Sequence, residues 1–455
     1  MKTDWLIERM RDWGGAPALA GGAWTVSYAT LLELTEHWRD RLSNAGFPRG
    51  GVLAIEGDYG ADTCALLLAV LELRAVAVPL ASAIASELPR YEKIAGVDAV
   101  ARIATGESDV TVRSTRSDPH PLYRELAARA HAGLVLFSSG STGEPKAAVH
   151  DLDVLLEKFR TPRHRFRTCA FLLFDHIGGI NTFFYTMANG GLIAVPPARD
   201  PDSVCRTIER HRIELLPASP TFLNLLLISE AYRRHDLSSL KRITYGTEIM
   251  PESTLRRLAA ALPGVRLQQT YGLSELGILR SKSKARDSLW VKVGGEAFET
   301  KVEDGTLRIR ARSAMLGYLN APSPFDEDGW FDTGDLVEVD GEYVRFLGRR
   351  NDVINVGGEK VFPAEVESAL MDMPGIRDAT VYGEPNPITG QAVVAEVLVD
   401  ATEPAAHLRR RVRRWCAERL APYKVPARVL VTADPRVTRR FKKLRKSAVE
   451  DTRRQ

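Results

Sequence analysis

Helical segments alternate with short apolar runs over the first 200 residues of the chain. The first helical segment is SYATLLELTEHWRDRLSNAG, and the apolar run GVLAIEG follows it. The second helical segment runs through ALLLAVLELRA and is followed by VAVPL, while later runs of the same kind are GLIAVPP, IELLPAS and RITYGTE. Because strands that alternate with helices are joined by crossover connections, this order predicts βα units around a largely parallel sheet.

The pattern changes after about residue 285, where short strands and turn signals take over. Two such strand segments are TLRIRA and VEVDGEYVRFLG, and the second has Asp340-Gly341 as its predicted hairpin turn. A polar junction, GRRNDVINVGGEKVFP, precedes the helix AEVESALMDM, the strands DATVYGEP and QAVVAEVLV, and the Arg-rich helix AHLRRRVRRWCAERL. At 455 residues the chain is also too long for one core. We therefore expect an α/β protein. Residues 1–348 would form a large N-terminal domain of mixed and parallel sheets with packed helices, and residues 349–455 a small mobile α+β C-terminal domain.

Composition narrows the class of protein. The N-terminal segment MKTDWLIERMRDWGG carries charges among its apolar positions, which argues against a signal peptide. No apolar run approaches the roughly 20 residues that a membrane helix needs. The four cysteines have no CxxC spacing, which argues against a zinc site or a disulfide framework. These features predict a cytoplasmic protein without a membrane span.

The last 55 residues are strongly basic, with 17 Lys and Arg against 5 Asp and Glu. Such a segment attracts polyanions: a nucleic acid, a phosphorylated cofactor or an acidic partner protein. A solvated helix face and a frayed terminus would explain the same charge. Because these charges are not interleaved with aromatic residues that stack on bases, we do not expect a nucleic acid partner.

The stretch FSSGSTGEPKAAVHD, residues 137–151, follows the predicted buried strand LVLF. Its glycines and hydroxyls are typical of a loop that wraps phosphate, since backbone N–H groups around Gly140 and Gly143 can cradle a triphosphate. Ser141 and Thr142 would add hydroxyl donors, and Lys146 would add a positive charge. The stretch lacks the Gly-Lys-Ser/Thr ending of the common P-loop, and a flexible surface loop is the alternative.

Further segments, in a fixed order, resemble the adenylate-forming enzymes: acyl- and aryl-CoA synthetases, adenylation domains of peptide synthetases, and luciferases. Residues 138–146 resemble their phosphate loop, which is followed by the usual histidine, here His150. The other matching segments are the pocket-lining turn at 245–248, the Tyr-Gly-x-Thr/Ser-Glu motif at 269–275, the ribose-binding segment at 329–335, the hinge at 348–352, the loop at 357–367 and the segment at 421–426. The resemblance runs from Tyr28 to about Lys446.

The resemblance implies that ATP activates a carboxylic acid to an acyl adenylate and pyrophosphate. Both reactants are anionic, so such catalysis depends mainly on charge neutralisation and positioning. The implied nucleotide- and cofactor-binding residues are Ser138, Ser139, Gly140, Ser141, Thr142, Gly143, Lys146, Gly246, Thr247, Glu248, Gln269, Thr270, Tyr271, Gly272, Ser274, Asp335, Arg349 and Gly358.

Individual roles follow from the same resemblance. Tyr271 would lie against adenine, Asp335 would accept hydrogen bonds from both ribose hydroxyls, and Arg349 would reach the ribose too. Glu275 would help to hold Mg²⁺ through a hard oxygen, with Thr142 as a further ligand and catalytic group near the β- and γ-phosphates.

The catalytic lysine of the family usually ends a Pro-x-Thr-x-x-Gly-Lys motif and bridges the attacking carboxylate and the α-phosphate. In this chain the fourth residue after Thr438 is Lys442, and Phe441 replaces the glycine. The apolar residue that follows the lysine would instead select Lys443. Because some fatty-acyl members have a Thr-x-x-Phe-Lys ending, Lys442 is the predicted catalytic residue; a purely structural role for both lysines is the other interpretation.

The hinge and the acid pocket both depart from the usual pattern. Asn351 occupies a hinge position usually held by Asp or Lys, and its tolerance of unusual backbone angles keeps a pivot feasible. His176, in Phe-Asp-His-Ile-Gly-Gly, is predicted to face the carboxylate that is activated. Asp175 faintly resembles the aspartate of amino-acid-activating domains and is expected behind His176 or at the surface. Nearby apolar residues either pack a helix or line an aryl or alkyl pocket; these are Ile180, Phe183 and Phe184.

The expected function is an AMP-forming ligase that uses ATP and Mg²⁺ and transfers the acyl group to a thiol, first of all CoA. Gly357-Gly358 lies where family members admit a pantetheine close to the backbone, which requires the absence of a Cβ. The basic C-terminus would meet the phosphates of CoA or an acidic carrier protein that bears phosphopantetheine. The alternatives are a stand-alone adenylation enzyme that loads a carrier protein, and a member that activates a non-carboxylate oxyacid such as nitrite for transfer to an amine. An aryl or short acyl acid is favoured because the chain lacks long inserts.

Overall fold

The helices and strands follow the alternation that the sequence predicts. The structure is a computed structural model that describes residues 4–82, 87–104, 108–113, 118–138, 144–295, 297–400, 404–432 and 443. Its helices are α1 (Asp4–Trp13), α2 (Tyr28–Asn44), α3 (Ala61–Glu72), α4 (Leu88–Ala95), α5 (Pro121–Arg129), α6 (Leu152–Leu156), α7 (Ile177–Ala188), α8 (Pro201–His211), α9 (Pro220–Ser229), α10 (Glu252–Ala261), α11 (Pro363–Met371) and α12 (Ala405–Ala417).

Short strands outnumber the helices, as the apolar runs indicate. In the N-terminal half they are β1 (Pro17–Gly21), β2 (Trp24–Ser27), β3 (Val52–Glu56), β4 (Val76–Leu80), β5 (Ala99–Ile103), β6 (Ser108–Val112), β7 (Gly133–Ser138), β8 (Lys146–Asp151), β9 (Arg167–Cys169), β10 (Leu192–Val195), β11 (Leu215–Ala218), β12 (Arg242–Tyr245) and β13 (Arg266–Gln269). The later strands are β14 (Gly272–Leu273), β15 (Gly277–Ile278), β16 (Arg280–Ser283), β17 (Trp290–Gly294), β18 (Phe298–Glu303), β19 (Thr306–Ala311), β20 (Gly317–Tyr318), β21 (Phe331–Asp340), β22 (Tyr343–Arg349), β23 (Ile354–Val356), β24 (Glu359–Val361), β25 (Ile376–Asn386), β26 (Gly390–Val399) and β27 (Arg428–Val431).

Two seven-stranded sheets form the scaffold of the N-terminal domain. The first has the order β13-β12-β11-β9-β10-β1-β2 and the second β20-β8-β7-β4-β3-β5-β6. Their central strands are parallel, as predicted, but the pairs β1·β2, β5·β6, β7·β8 and β8·β20 are antiparallel. The sheets are therefore mixed, as expected: five of the six pairs in the first sheet are parallel, and three of the six in the second.

Helix starts in this domain are encoded by capping residues. The Ser27 hydroxyl accepts the backbone N–H of Thr30 at the start of α2. Asp200 caps α8 in the same way, and Pro201 occupies the first turn, where its missing N–H costs no hydrogen bond. Apolar residues of α1, α2, α3 and α7 share one buried cluster with strands of both sheets. The strand ends that carry the site are thus fixed by a common core.

An antiparallel six-stranded sheet, β16-β17-β22-β21-β19-β18, follows the two scaffold sheets and contains the predicted hairpin at Asp340-Gly341. Its first strand begins at Arg280, close to the predicted change near residue 285. The C-terminal sheet, β24-β23-β26-β25 with β27 beside β26, packs with α11 and α12 around a core of its own, drawn from residues 354–429. A short 3-10 turn, Arg350–Asp352, separates the two sheets. The large and small domains confirm the expected fold class; a boundary at 348–352 stays a prediction that this turn favours.

Two sequence-based exclusions can be compared with the described residues. None of the helices that these residues form has both the length and the apolar composition to cross a membrane. The four cysteines are buried thiols that are not joined in disulfides.

Candidate active site

A cavity of about 1260 Å³ opens where β11, β12 and β13 end. The start of α7, the end of β7, the β14–β15 hairpin and the β21–β22 pair complete its wall. Ligands of α/β sheets bind outside the carboxyl ends of parallel strands, so this is the expected place for a site. The predicted residues that line the cavity are Ser138, His176, Gly246, Thr247, Glu248, Gln269, Thr270, Tyr271, Gly272, Ser274, Glu275, Asp335 and Arg349.

Some predicted residues do not line the described part of the cavity. Ser139, Gly140, Ser141, Thr142, Gly143 and Lys442 lie outside the described residues. Lys146 is the register partner of Ser138 in the β7·β8 ladder, and its Nζ lies 5.4 Å from the ring centre of Tyr318. Gly358 lies in the β23–β24 turn with φ of 91°, and a Cβ added there would meet nothing within 4 Å. In this arrangement of the chain, the left-handed backbone and not a close approach explains the glycine at 358.

Tyr271, Asp335 and Arg349 form one hydrogen-bonded group. The Tyr271 hydroxyl donates to Asp335 Oδ2 at 2.6 Å, and Arg349 Nε lies 3.3 Å from Asp335 Oδ1. Asp335 faces Arg349 across the β21·β22 ladder, which fixes the pairing. The Tyr271 ring stacks on Phe346, with 4.6 Å between ring centres. Burial raises the pKa of Tyr271 well above its usual range, and the Asp335 carboxylate raises it further, so the hydroxyl stays protonated and donates.

Glu275 stands in the turn of the β14–β15 hairpin. Its Oε1 accepts the Tyr318 hydroxyl at 2.7 Å, and burial together with the Glu275 charge raises the pKa of Tyr318. The Tyr318 hydroxyl therefore remains a hydrogen-bond donor and orients the carboxylate of Glu275, which lines the cavity. Carboxylate oxygens of this kind are the ligands that Mg²⁺ prefers, so Glu275 fits the metal role that the sequence predicts.

The histidine after the phosphate loop, His150, is hydrogen-bonded to the turn of the same hairpin. His150 is fully buried, and its Nε2 lies 2.6 Å from the carbonyl oxygen of Ser274. Burial lowers the pKa of His150 to about 4, with a smaller contribution from the Lys158 charge. The imidazole is consequently neutral at pH 7 and donates Nε2–H to Ser274. His150 thus holds the turn that carries Glu275.

The low pKa of His150 predicts a loss of stability in acid. The unfolded chain takes up a proton near pH 6.5, whereas the folded protein does so near pH 4, so stability falls as the pH drops through this window. We expect His150 to cost the protein about 2 kcal/mol of stability between pH 7 and pH 5. Urea unfolding of the wild type and of His150→Gln at several pH values measures this, with the exposed His37→Gln as the matched control. Wild-type and His150→Gln curves that stay parallel would contradict it.

Close backbone packing shapes the floor of the cavity. A Cβ on Gly246 would lie 2.7 Å from the carbonyl oxygen of Thr270, so only glycine lets the ends of β12 and β13 approach this closely. Thr247 has a φ of 72°, a left-handed conformation that β-branched residues rarely adopt and that is enriched at functional sites. The buried Gln269 Oε1 has no hydrogen-bond partner among the described residues. Because buried acceptors are normally paired, Gln269 fits a ligand that offers an N–H donor.

Glu248 joins the two domains at the edge of the cavity. Its Oε2 accepts the Thr221 hydroxyl at 2.6 Å, and its Oε1 accepts the backbone N–H of Lys443 at 2.6 Å. The Lys443 side chain is buried, and its Nζ lies 3.1 Å from Asp378 Oδ1 and 3.9 Å from Glu367 Oε2. Lys443, the alternative catalytic lysine, therefore has its ammonium beside two carboxylates of the C-terminal domain.

His176 caps α7 and lines the cavity. Its Nδ1 accepts the backbone N–H of Gly178 at 3.0 Å, so a neutral imidazole carries its proton on Nε2. Asp175 is buried and is absent from the described wall, which rules out the surface position and leaves the position behind His176. Gly179 of the same segment packs against the carbonyl of Leu173, where a Cβ would lie only 1.9 Å from the oxygen.

The two faces of α7 differ in chemistry. Ile180, Phe183 and Phe184 are buried in the common core and do not line the cavity, so these residues pack the helix and form no aryl or alkyl pocket. The cavity face presents Asn181, Thr182 and Tyr185.

The sequence did not single out several residues of the wall. Lys158 lines the cavity and donates to Asn181 Oδ1 at 2.7 Å and to the Ile278 carbonyl oxygen at 3.0 Å. The signal in the sequence is weak: Lys158 follows Glu157 within the segment LLEKF, where the other residues are apolar. Tyr318 and Phe346 carried no signal, because only the folded sheets bring them to Glu275 and Tyr271.

Two family models cover most of the chain. The AMP-binding enzyme model matches residues 6–319, and the AMP-binding enzyme C-terminal domain model matches residues 365–442.

Individual proteins agree with this match along nearly the whole length. The chain is 25% identical over 450 residues to the long-chain-fatty-acid–CoA ligase of Mycobacterium tuberculosis, with 89% of each chain covered. It is 28% identical over 488 residues to the indoleacetate–CoA ligase of Aromatoleum aromaticum, with 94% of this chain and 93% of the relative covered. The ATP-bound crystal structure of MatB from Rhodopseudomonas palustris superposes with a TM-score of 0.81 at 23% identity and 98% coverage of both chains. The chain therefore belongs to the AMP-binding enzyme family, within the adenylate-forming superfamily, and is an AMP-forming ligase.

Proposed function

We propose that this enzyme activates a carboxylic acid with ATP and transfers the acyl group of the adenylate to a thiol, with CoA as the favoured acceptor. The observation that carries the proposal is the set of residues that line one cavity. Asp335, Tyr271 and Glu275, which suit a nucleotide and its metal, share it with His176 and a set of polar and basic side chains that suit an acid.

Three side chains of the cavity, Gln269, Asp335 and Glu275, support the binding of ATP because each offers it a hydrogen-bond acceptor or a metal ligand. Gln269 Oε1 is a buried hydrogen-bond acceptor without a donor among the described residues. The exocyclic amino group of adenine would supply that donor. Asp335, held by Tyr271 and Arg349, offers carboxylate lone pairs to the ribose hydroxyls. Mg²⁺ bound by Glu275 and Thr142 would neutralise phosphate charge. Tyr318 fixes the Glu275 carboxylate for that purpose.

His176 is the group that we assign to the reacting carboxylate. With Nδ1 occupied by the Gly178 N–H, its Nε2–H is the donor that can orient a carboxylate oxygen for attack on the α-phosphorus. The bond that forms joins this oxygen to the α-phosphorus, and the bond to the pyrophosphate oxygen breaks.

Lys442 is the cation that we assign to the transition state. Its neighbour Lys443 has its ammonium beside Asp378 and Glu367, so its charge is already balanced. A lysine that bridges two anionic reactants needs an uncommitted charge, which supports Lys442.

The thiol acceptor rests on the relatives and on the C-terminal domain. The relatives reported above are named CoA ligases. Exposed arginines of α12, Arg410, Arg413 and Arg414, give this domain a basic surface that suits the phosphates of CoA. An acidic carrier protein would suit the same surface and is the second candidate.

Pyrophosphate release across a panel of carboxylic acids tests the proposed function. We expect at least one acid to release pyrophosphate and AMP with ATP and Mg²⁺, and mass spectrometry to detect its adenylate. Addition of CoA should then convert the adenylate to a thioester. An enzyme that makes an adenylate but transfers it only to a carrier protein or an amine would exclude the CoA assignment. Failure of every acid, with and without CoA, would contradict the proposed function itself.

A further inference from the structure

Lys158 lies in the cavity wall, and the described residues offer its ammonium no carboxylate partner. It belongs to the short 3-10 turn Glu157–Phe159, and the acceptors of its Nζ are the neutral oxygens of Asn181 and Ile278. A lysine ammonium has three N–H donors. Two are therefore used by neutral acceptors, and the third has no hydrogen-bond partner among the residues that the structure describes.

Further positive charge lies close to Lys158. Arg163 and Arg242 also line the cavity, and both act electrostatically on Tyr185 of α7, which places them around one part of the wall. We call Lys158, Arg163 and Arg242 the basic wall. Within the described part of the chain, none of the three has a carboxylate oxygen within 4.0 Å.

Two other arginines of the same cavity have carboxylate partners. Arg312 pairs with Glu157 at 3.0 Å, and Arg349 lies 3.3 Å from Asp335. Burial, with a contribution from Arg163, lowers the pKa of Lys158 to about 7, which is the expected result for an ammonium without an anionic partner. An anion bound beside Lys158 would remove this penalty.

The wall of the cavity is mixed, since the apolar side chains of Leu172, Ile177 and Leu215 line it together with polar ones. The cavity face of α7 presents Asn181, Thr182 and Tyr185, whereas its phenylalanines face the core. The hydroxyls of Thr182 and Tyr185 already donate to backbone carbonyl oxygens. An apolar group placed against Lys158 would leave its third N–H donor without an acceptor, which is unfavourable, whereas an anionic group would pair with it.

Resting on the proposed function, we propose that the acid substrate carries a second anionic group, a carboxylate in the simplest case, that pairs with Lys158 at the basic wall. The first carboxylate is the one activated beside His176. The aryl or short acyl acid that the chain length favours would then carry this second anionic group, and the matching monoacid would be the poorer substrate.

Matched sets of acids test this with the wild-type enzyme. Each set contains an α,ω-dicarboxylic acid, its monoamide and the monocarboxylic acid of equal length, from four to ten carbons, with benzene-based sets beside them. The readout is kcat/KM for pyrophosphate release. For at least one set we expect the dicarboxylic acid to exceed its monoamide by about 10- to 100-fold, the worth of a hydrogen-bonded ion pair.

Variants assign the preference to Lys158. In Lys158→Gln the ratio of dicarboxylic acid to monoamide should fall below about 3-fold, and Lys158→Arg should keep most of it. Lys292→Gln is the control, since Lys292 is an exposed residue of β17 paired with Glu342 outside the cavity. That variant should behave as wild type.

Each adverse result points to a different error. Monoacids or monoamides that react as well as the dicarboxylic acids would overturn the second anionic group and leave the proposed function intact. A preference for dicarboxylic acids that survives in Lys158→Gln would overturn the role of Lys158. Failure of all acids to release pyrophosphate would overturn both the inference and the proposed function.

Discussion

Replacement of Lys442 by alanine is expected to lower the rate of adenylate formation by about 10²- to 10³-fold, the usual effect of removing one group that stabilises charge in a transition state. ATP and the acid are both anionic, so a neutral side chain cannot take over the role of the Lys442 ammonium. Thioester formation, the second step, involves no attack on the α-phosphorus and so does not need the Lys442 ammonium there. Thioester formation from a supplied acyl adenylate and CoA should therefore be reduced much less than adenylation, whereas a general structural defect would reduce both steps. Stopped assays of the two half-reactions make the comparison.

Lys443→Ala is the matched control, because its expected effect is on stability. Removal of this ammonium leaves Asp378 and Glu367 buried without their cation, which costs about 3–5 kcal/mol. We expect a lower melting temperature and, at temperatures where the variant is folded, adenylation close to the wild-type rate. If folded Lys443→Ala loses adenylation while Lys442→Ala keeps it, the assignment of the catalytic lysine is wrong.

Local patterns were enough to predict most elements of the fold. Helices α2, α3, α11 and α12 and the strands β3, β4, β7, β10, β11 and β12 lie where helical segments and apolar runs predicted them. These signals are local, since a hydrophobic period or a Ser27 cap depends on neighbouring residues alone. The pairing of strands is not local. The β5·β6 and β8·β20 pairs join segments whose edge positions the sequence does not encode, so their antiparallel direction was missed.

The candidate site shows the same division. Motif order alone identified Tyr271, Glu275 and Asp335, and all three line the cavity. Their partners come from distant strands: Tyr318 lies 43 residues after Glu275, and both reach the site through sheet packing. Such partners carry no signal in a single sequence.

The role of Lys158 could not be predicted from the sequence, because it depends on which side chains the fold places around its ammonium. From the sequence, a charged residue after β8 would be interpreted as solvent-exposed. In the folded protein the Lys158 ammonium donates to Asn181 and Ile278 in the cavity wall. The orientation of α7 matters equally. Its phenylalanines could have lined the acid pocket, and the helix instead turns Asn181 and Thr182 to the cavity. The chemistry expected of the substrate changes accordingly.

Asp335→Asn is expected to raise the KM for ATP by about 10- to 100-fold, because the amide cannot accept both ribose hydroxyls as a carboxylate can. The substitution is nearly isosteric, and the amide oxygen can still accept the Tyr271 hydroxyl that lies 2.6 Å away in the wild type. Burial raises the pKa of Asp335, while the nearby Arg349 and the Tyr271 hydroxyl oppose that rise. The KM for the acid should change little, since the acid is assigned to His176 and not to Asp335.

A comparison with 2′-deoxy-ATP separates ribose recognition from a change in shape. Loss of the 2′-hydroxyl should weaken the wild type about tenfold and weaken Asp335→Asn much less, because the two changes remove the same hydrogen bond. Asp332→Asn on the same strand is the control: Asp332 pairs with Arg350 at 3.0 Å and does not line the cavity, so this variant should respond to 2′-deoxy-ATP as the wild type does. Equal penalties for 2′-deoxy-ATP in wild type and Asp335→Asn would mean that Asp335 supports Tyr271 and Arg349 without touching the ribose.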